Sequence, residues 1–482
     1  FTARDTNLIL GPPGTGKTYR LISRAKAYVR KYKIPLNKIG YFAFTRKAAS
    51  EARDRYLKVN NHLTKKDIKY FQTIHSLAFN CLGLKEENVM QDLNYKAIGE
   101  KCGIQVRYAA YETNSWNGIF SSNSEYLTLI NLAKSNQIES IQQFDKNEHL
   151  GKLERYKVDA ISKEIEDYKK IHELIDYHDM LKNFLDKEKS PEFDVIFIDE
   201  AQDLSIIQWS VINKIEKETG CDVWIAGDDD QAVFGWAGAD VNSFINWKAE
   251  EIPLKQSERV PTEIQQKALS IIDRAEGKRI PKDYLPKKEK GEINPRYKLS
   301  DIDLTKGDWL ILTRTNHLLK PILPFLKRKG FFFETTDGTS MGKALFDDVH
   351  HWNRMRKGEK LPEIQEQRVK ERMKKVDFTK EWYEAFTNVA DTKKEYLRAM
   401  LINGEDLSKE PRIKVSTIHG AKGGEATNVI LFLNQTANTM KAMKKSKIKR
   451  DEEYRVWYVG VTRTIQNLYL IKCNNKTKEF II

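Results

Sequence analysis

The sequence predicts an α/β protein with two parallel-sheet cores, each carrying a mostly helical insertion. Three observations support this fold class. A glycine-rich segment, residues 11–18, lies between an apolar strand and a helix. Short apolar strands alternate with helices and end at polar residues, as in parallel sheets that are covered by helices on both faces. The same pattern begins again at about residue 252.

The glycine-rich segment fits the pattern G-x-x-x-x-G-K-[ST], which is typical of a phosphate-binding loop. Apolar residues 8–10 predict the strand before it, and residues 19–31 predict the helix after it. In this context the backbone N–H groups and the helix N-terminus attract phosphate. We therefore expect an ATP site in which Lys17 reaches the β- and γ-phosphates and Thr18 holds Mg²⁺. The segment consists of Gly11, Pro12, Pro13, Gly14, Thr15, Gly16, Lys17 and Thr18.

Acidic residues follow two further predicted strands of the first core, at 194–198 and 223–226. Ligands of such sheets bind beyond the carboxyl ends of the strands, where the glycine-rich segment also lies. Asp199 is therefore a candidate Mg²⁺ ligand, and Glu200 is a candidate base for water. Gln231, after three acids, is a candidate γ-phosphate sensor. A solvated acidic turn is the alternative for Asp199 and Glu200.

Two aromatic residues lie close to Gln231. Phe234 and Trp236 are two positions apart in a segment flanked by glycines. Aromatic rings presented in this way stack on exposed bases with little sequence preference. The alternative is that both rings belong to the core.

The net charge of +14 is consistent with a polyanionic partner, although a lysine-rich composition alone is weak evidence. Residues 441–450 contain six basic residues and no acid. We interpret this run as a contact to a nucleic-acid backbone, with a solvated loop as the alternative. No stretch of 18 apolar residues occurs, so we expect no membrane span. The four cysteines are far apart and indicate neither a zinc site nor a disulfide framework, so we expect a reducing compartment, the cytoplasm of a bacterial or phage-infected cell.

The chain is expected to divide into four parts. Strand signals vanish between residues 82 and 187, which predicts a helical insertion, and a second charged, helical stretch follows later. The first core then comprises residues 1–81 and 188–251, with insertion 82–187, and the second comprises 252–340 and 410–482, with insertion 341–409.

Further motifs follow the phosphate-binding loop in a fixed order. Together with that loop and residues 199–239, this series resembles superfamily one helicases of the UvrD/Rep type. The motifs are AFTRKAA (43–49), TIHS (73–76), QSER (256–259), TRTN (313–316), VSTIHGAKGGE (415–425) and EYRVWYVGVTR (453–463).

The resemblance implies two RecA-like cores and an ATP- and Mg²⁺-dependent motor that moves 3′→5′ on single-stranded DNA and acts at single-strand/duplex junctions. It implies that Arg259 and Arg463 reach the γ-phosphate from the second core, and that Glu425 contacts the ribose. For the histidines, a purely structural role is the alternative. The residues implied to face DNA are Thr45, Arg46, His75, Phe234, Trp236 and His419.

The sequence departs from the family pattern in two places. Tyr19 and Glu258 occupy positions where the family places an arginine and a tyrosine around adenine. We hypothesise that Tyr19 stacks on the base, with a role as surface cover as the alternative. The second insertion, at about seventy residues, is short for the family. This motivates a second hypothesis, a translocase within a recombination, repair or defence complex with little unwinding of its own. A nucleotide-gated binding protein without turnover is a third, disfavoured by Lys17, Glu200 and Arg463.

Overall fold

A computed structural model describes residues 6–106, 124–146 and 153–482. By contact, the chain divides into two compact units. The first unit runs to Lys290 and also includes Asn438–Thr462, and the second comprises Gly291–Ala437 and Arg463–Ile482.

The first unit contains a six-stranded sheet whose strands are all parallel, in the order β3-β2-β4-β5-β1-β6. Its central strands are apolar runs that are buried on both faces, as parallel sheets require. A separate parallel pair, β7 (Gln256–Pro261) and β8 (Leu285–Lys287), lies outside this sheet. The six strands are β1 (Thr6–Leu10), β2 (Ile39–Ala43), β3 (Phe71–Gln72), β4 (Val195–Asp199), β5 (Asp222–Gly227) and β6 (Glu250–Pro253).

Helices connect these strands and form the first insertion. The insertion has an apolar core of its own, built from residues such as Tyr95, Leu127, Ile130 and Ile161. Residues 107–123 and 147–152 of the predicted insertion lie outside the described residues. The helices are α1 (Lys17–Lys31), α2 (Arg46–Val59), α3 (Ile74–Cys81), α4 (Asp92–Lys101), α5 (Glu125–Ser135), α6 (Ser140–Lys146), α7 (Arg155–Ile171), α8 (Tyr177–Lys187), α9 (Ile206–Thr219), α10 (Val241–Ile245) and α11 (Thr262–Ile272).

The second unit contains a seven-stranded sheet in the order β12-β11-β13-β10-β14-β15-β9. All its neighbouring pairs are parallel except β11 with β12. The strands are β9 (Glu292–Arg296), β10 (Trp309–Thr313), β11 (Phe333–Thr335), β12 (Gly338–Thr339), β13 (Ile413–Thr417), β14 (Ala426–Phe432) and β15 (Thr464–Ile471).

Six helices accompany the second sheet, and four of them build its insertion around buried Trp352, Trp382 and Phe386. They are α12 (Asn316–Leu319), α13 (Ile322–Arg328), α14 (Lys343–Arg356), α15 (Glu363–Lys370), α16 (Trp382–Ala385) and α17 (Asp391–Ile402). Two helices follow, α18 (Ala437–Lys445) and α19 (Lys447–Val461). By contact, α19 belongs to the first unit.

The predicted α/β class with two parallel-sheet cores is confirmed. The structure groups residues 252–290 with the first unit, whereas the sequence analysis assigned them to the second core. The predicted boundaries stay predictions, because a division by contacts need not coincide with a division into cores. Among the helices of the described ranges, none is both long and apolar enough to cross a membrane.

Candidate functional site

The glycine-rich segment joins β1 to α1 in the first unit. Gly14 and Gly16 have φ values of 75° and 82°, in the left-handed region that favours glycine. Lys17 begins α1, and its side chain folds back so that Nζ donates a hydrogen bond to the Gly11 carbonyl at 2.6 Å. A Cβ at Gly11 would collide with the Lys17 side chain. The loop therefore holds a buried ammonium group beside backbone N–H groups, which is the donor set that a triphosphate requires.

Asp199 ends β4 and is buried next to this loop. Its Oδ2 accepts hydrogen bonds from Thr18 Oγ1 at 2.7 Å and from Tyr41 OH at 2.9 Å. Burial and then the charge of Glu200 raise the pKa of Asp199, whereas the two hydroxyl groups act in the opposite direction. Mg²⁺ in nucleotide sites takes one or two carboxylates and completes its shell with phosphates and water. The pairing of Thr18 with Asp199 fits such an ion.

Glu200 follows Asp199 in a left-handed conformation, with φ of 53° and ψ of 41°. For a residue other than glycine this backbone is strained, and such strain concentrates at functional sites. The half-buried carboxylate of Glu200 accepts a hydrogen bond from Gln202 Nε2 at 2.7 Å. Gln202 thus holds the Glu200 carboxylate at the end of β4, directly after Asp199.

Gln231 lies in a buried turn that follows β5. Its Nε2 donates to Asp228 Oδ2 at 2.7 Å. The three acids before it are also buried, and Lys282 Nζ lies within 3.3 Å of a carboxylate oxygen on each of them. Arg279 adds a bidentate pair with Asp230 at 2.7 and 3.0 Å. Two cations thus compensate three buried carboxylates and fix the turn that carries Gln231.

Arg259 lies on β7, which packs against the phosphate-binding loop within the first unit. The Ser257 hydroxyl donates to the Pro13 carbonyl at 2.8 Å, and the backbone N–H of Glu258 donates to the Gly14 carbonyl at 2.9 Å. A Cβ at Gly14 would collide with the Arg259 side chain. The structure therefore brings Arg259 together with the loop.

Tyr19, two residues after Lys17 on α1, is 74% exposed. Such exposure leaves its ring available to a base. Its stacking role and the alternative of surface cover both stay open.

The candidate DNA residues of the first unit differ in exposure. Thr45 accepts a hydrogen bond from the backbone of Ala48 at 3.1 Å and so caps α2, and Arg46, the first residue of that helix, is half-buried. Phe234 is buried and packs against Phe44, with ring centroids 5.1 Å apart. Trp236 is half-buried, 6.4 Å from Phe234.

His75 is buried at the start of α3, and its Nδ1 has no hydrogen-bond partner within the described part of the chain. Burial, and then the charge of His178, lower the pKa of His75 to about 3. His75 is therefore neutral and enclosed, and a contact with DNA would require movement of the residues around it.

The remaining candidates lie in the second unit. Arg463 is 1% exposed, and its Nη1 donates to the Gly424 carbonyl at 3.3 Å. Glu425 is exposed in the following position, and His419 is half-buried in the turn after β13. Glu425 and Arg463 directly precede the neighbouring strands β14 and β15, whereas His419 follows the carboxyl end of β13.

Sequence reasoning missed several residues that build this site. Tyr41 lies within an apolar strand, where an aromatic residue gives no sign of a polar contact. Lys282 and Arg279 lie in a charged segment outside the helices and strands, about fifty residues after the acids they contact. The position of Gln202 shortly after the Asp199-Glu200 pair was a signal in the sequence. Its hydrogen bonds could not be predicted, because they depend on the fold.

A phosphate-binding loop, an acid with a hydroxyl donor and a second parallel α/β sheet define a nucleotide-binding protein of the two-core P-loop class. Residues 2–251 match the UvrD/REP helicase N-terminal domain, and residues 339–475 match the UvrD-like helicase C-terminal domain. The chain belongs to the UvrD/REP helicase family.

Individual relatives agree with this assignment. The chain is 22% identical over 357 residues to the ATP-dependent DNA helicase PcrA of Leuconostoc citreum, a match that covers 65% of this chain and 46% of the relative. It is 25% identical over 299 residues to DNA helicase II of Haemophilus influenzae, covering 59% of this chain and 41% of the relative. The chain thus matches less than half the length of these relatives. Among solved structures, the Arterivirus nonstructural protein 10 helicase aligns with a TM-score of 0.37 at 11% identity, over 98% of this chain and 60% of that chain.

Proposed function

We propose that the chain is an ATP-dependent DNA helicase that moves 3′→5′ on single-stranded DNA. The observation that carries this proposal is the contact of Thr18 with Asp199 beside the Lys17 loop. Glu200 and Gln231 follow neighbouring strands of the same sheet, so one site can bind phosphate, hold a metal and direct water. Membership of the UvrD/REP family supports DNA as the partner.

In this proposal each residue of the ATP site has a distinct task. Lys17 binds the β- and γ-phosphates, and Glu200 orients or deprotonates the attacking water. Gln231 and Arg259 respond to the γ-phosphate. Thr18 and Asp199 would hold Mg²⁺, which would neutralise negative charge on the phosphates.

The second core supplies the other groups. Arg463 reaches the γ-phosphate and Glu425 contacts the ribose, so that hydrolysis depends on the two cores closing around the nucleotide. Tyr19, with its exposed ring, stacks on the base. Repeated closing and opening of the two cores then advance the single-stranded DNA.

DNA contacts are assigned on exposure and chemistry. The half-buried Trp236 supplies a stacking face, worth about 1–3 kcal/mol per base. Thr45, Arg46 and His419 contact the backbone. Phe234 supports Trp236 from the core side and, like His75, reaches DNA only if its surroundings rearrange. The substrates are single strands and single-strand/duplex junctions.

Two assays test this function. We expect ATP hydrolysis to rise when single-stranded DNA is added, and partial duplexes with a 3′ tail to be unwound in preference to those with a 5′ tail. A preference for the 5′ tail would refute the direction of movement.

The second candidate, a translocase that unwinds little by itself, is motivated by the small second insertion, which spans four helices between Lys343 and Ile402. It predicts DNA-stimulated hydrolysis without displacement of the complementary strand by the purified chain. If the chain does not hydrolyse ATP, the third hypothesis remains, in which it is a nucleotide-gated binding protein without turnover.

The basic run at 441–450 supports a further contact to DNA. Lys441, Lys444 and Lys445 lie on one face of α18, at spacings of three and four residues, and are exposed. Among the described residues none forms an ion pair with them, whereas Lys447 and Arg450 pair with Glu276. Three unpaired cations on one face repel each other, a cost that phosphate contacts would offset.

Replacing these three lysines by glutamine should reduce the salt dependence of single-strand binding. The slope of log K against log salt should become shallower by about 2, since each lost phosphate contact contributes about 0.7. Fluorescence anisotropy at four salt concentrations measures this slope. Glutamine substitution of the exposed Lys58, Lys65 and Lys66 removes the same charge elsewhere and serves as the control. If both triple variants show equal slopes, the basic run is a solvated segment that does not contact DNA.

A further inference from the structure

Gln202 connects two segments of the candidate site, and none of the roles above uses it. The residue is fully buried in the short turn Ala201–Asp203 that follows Glu200. Its Nε2 donates to Glu200 Oε2 at 2.7 Å, and its Oε1 accepts from the backbone N–H of Asp228 at 3.1 Å. Chemistry fixes this orientation of the amide, because a carboxylate needs a donor and a backbone N–H needs an acceptor.

The connection continues beyond Asp228. The carboxylate of Asp228 accepts a hydrogen bond from Gln231 Nε2 at 2.7 Å and pairs with Lys282 Nζ at 3.3 Å. Three hydrogen bonds therefore join Glu200 to Gln231 through Gln202 and Asp228. Since Lys282 anchors Asp228, these contacts fix the position of Glu200 relative to Gln231.

The Gln202 side chain is tightly packed. It crosses the end of β5 at Gly227, where a Cβ would lie 2.6 Å from Gln202 Oε1 and 2.6 Å from a ring carbon of Phe244. Only a residue without a side chain lets the amide pass at this point. The rotamer of Gln202, and with it the donor presented to Glu200, is thus set by the sheet.

We propose that Gln202 is a positioning residue that fixes the Glu200 carboxylate relative to the Gln231 amide. This inference rests on the proposed roles of Glu200 and Gln231 in ATP hydrolysis. By donating to one carboxylate oxygen, Gln202 sets the direction in which the Glu200 carboxylate faces the attacking water. Rates of such steps depend steeply on the geometry of the base, whereas nucleotide affinity depends mainly on the phosphate-binding loop.

The test replaces Gln202 by methionine, which has similar length but lacks the amide. With saturating single-stranded DNA, kcat for ATP should fall about 10- to 100-fold, the worth of one hydrogen bond to a charged group, while KM stays within about twofold. Gln208→Met is the matched control. Gln208 is also buried, but its Oε1 accepts hydrogen bonds from Ser205 instead, at 2.8 and 3.1 Å. The control should lose thermal stability without a comparable loss of kcat.

A double-mutant cycle separates positioning from a structural role. In a Glu200→Gln background, adding Gln202→Met should lower the residual rate less than about threefold, because the group it acts through is already changed. Equal fold losses in both backgrounds, a change confined to KM, or kcat values equal to those of Gln208→Met would overturn the inference. If Gln202→Met does not fold, Gln202→Leu, which also lacks the amide and adds no charge, enters the same cycle. A parent chain without ATP turnover would instead refute the proposed function.

Discussion

Replacement of Lys17 by alanine should lower ATP hydrolysis by about 10²–10³-fold or more, both with and without single-stranded DNA. Lys17 is the buried cation of the phosphate-binding loop, and its ammonium group lies against the Gly11 carbonyl. A triphosphate brings several negative charges to this loop, and a fixed positive charge stabilises them most strongly where water is excluded. The rate in the presence and absence of DNA, measured by release of phosphate, checks this prediction.

The variant is expected to fold. The side chain of Lys17 contributes one hydrogen bond to a loop carbonyl, and its removal eliminates a buried charge instead of leaving one without a partner. Lys31→Ala, at the exposed end of the same helix, is the control and should leave the rate unchanged. Hydrolysis by Lys17→Ala within a few fold of the parent would contradict the assignment of this loop as the ATP site.

The parts of the fold with strong local signals were predictable from the sequence. The apolar strand that ends in Asp199, and the helix that follows the phosphate-binding loop, combine periodicity with clear end signals. Residues 316–328 form two helices and not one, because Pro321 separates α12 from α13 and lacks the N–H that a continuous helix needs. Strand β9 lacks such a local signal because it is polar and contains Pro295, which an edge strand tolerates.

Residues of the candidate site were predictable only where they belong to a local sequence motif with a known chemical role. Lys17, Thr18 and Asp199 each belong to a pattern that carries its own physical reason. The hydrogen bond of Tyr41 to Asp199 and the pairing of Lys282 with the three acids join residues that are distant along the chain. No local pattern distinguishes such residues from ordinary core or surface positions, since their roles arise from strand order and packing.

Arg463→Ala should lower kcat for ATP by about 10³–10⁵-fold, the range associated with an arginine that stabilises phosphoryl transfer. Such an arginine acts on charge that develops in the transition state, so nucleotide affinity in the ground state should change much less. Arg463 is buried, with a carbonyl oxygen as a partner in the second unit. Steady-state kinetics together with equilibrium binding of a fluorescent nucleotide separate the two effects.

A buried arginine can also serve the fold alone, and the control must address this. Arg412, a partly buried arginine of the second unit, pairs with Glu405 at 2.6 Å, and Arg412→Ala should lower stability while preserving turnover. Arg463→Lys keeps the charge but not the planar fork of donors, so it should restore little activity. If Arg463→Ala loses no more activity than Arg412→Ala at matched stability, Arg463 belongs to the core of the second unit. Hydrolysis would then not depend on this arginine, and the proposed coupling of hydrolysis to closure would lose the group that carries it.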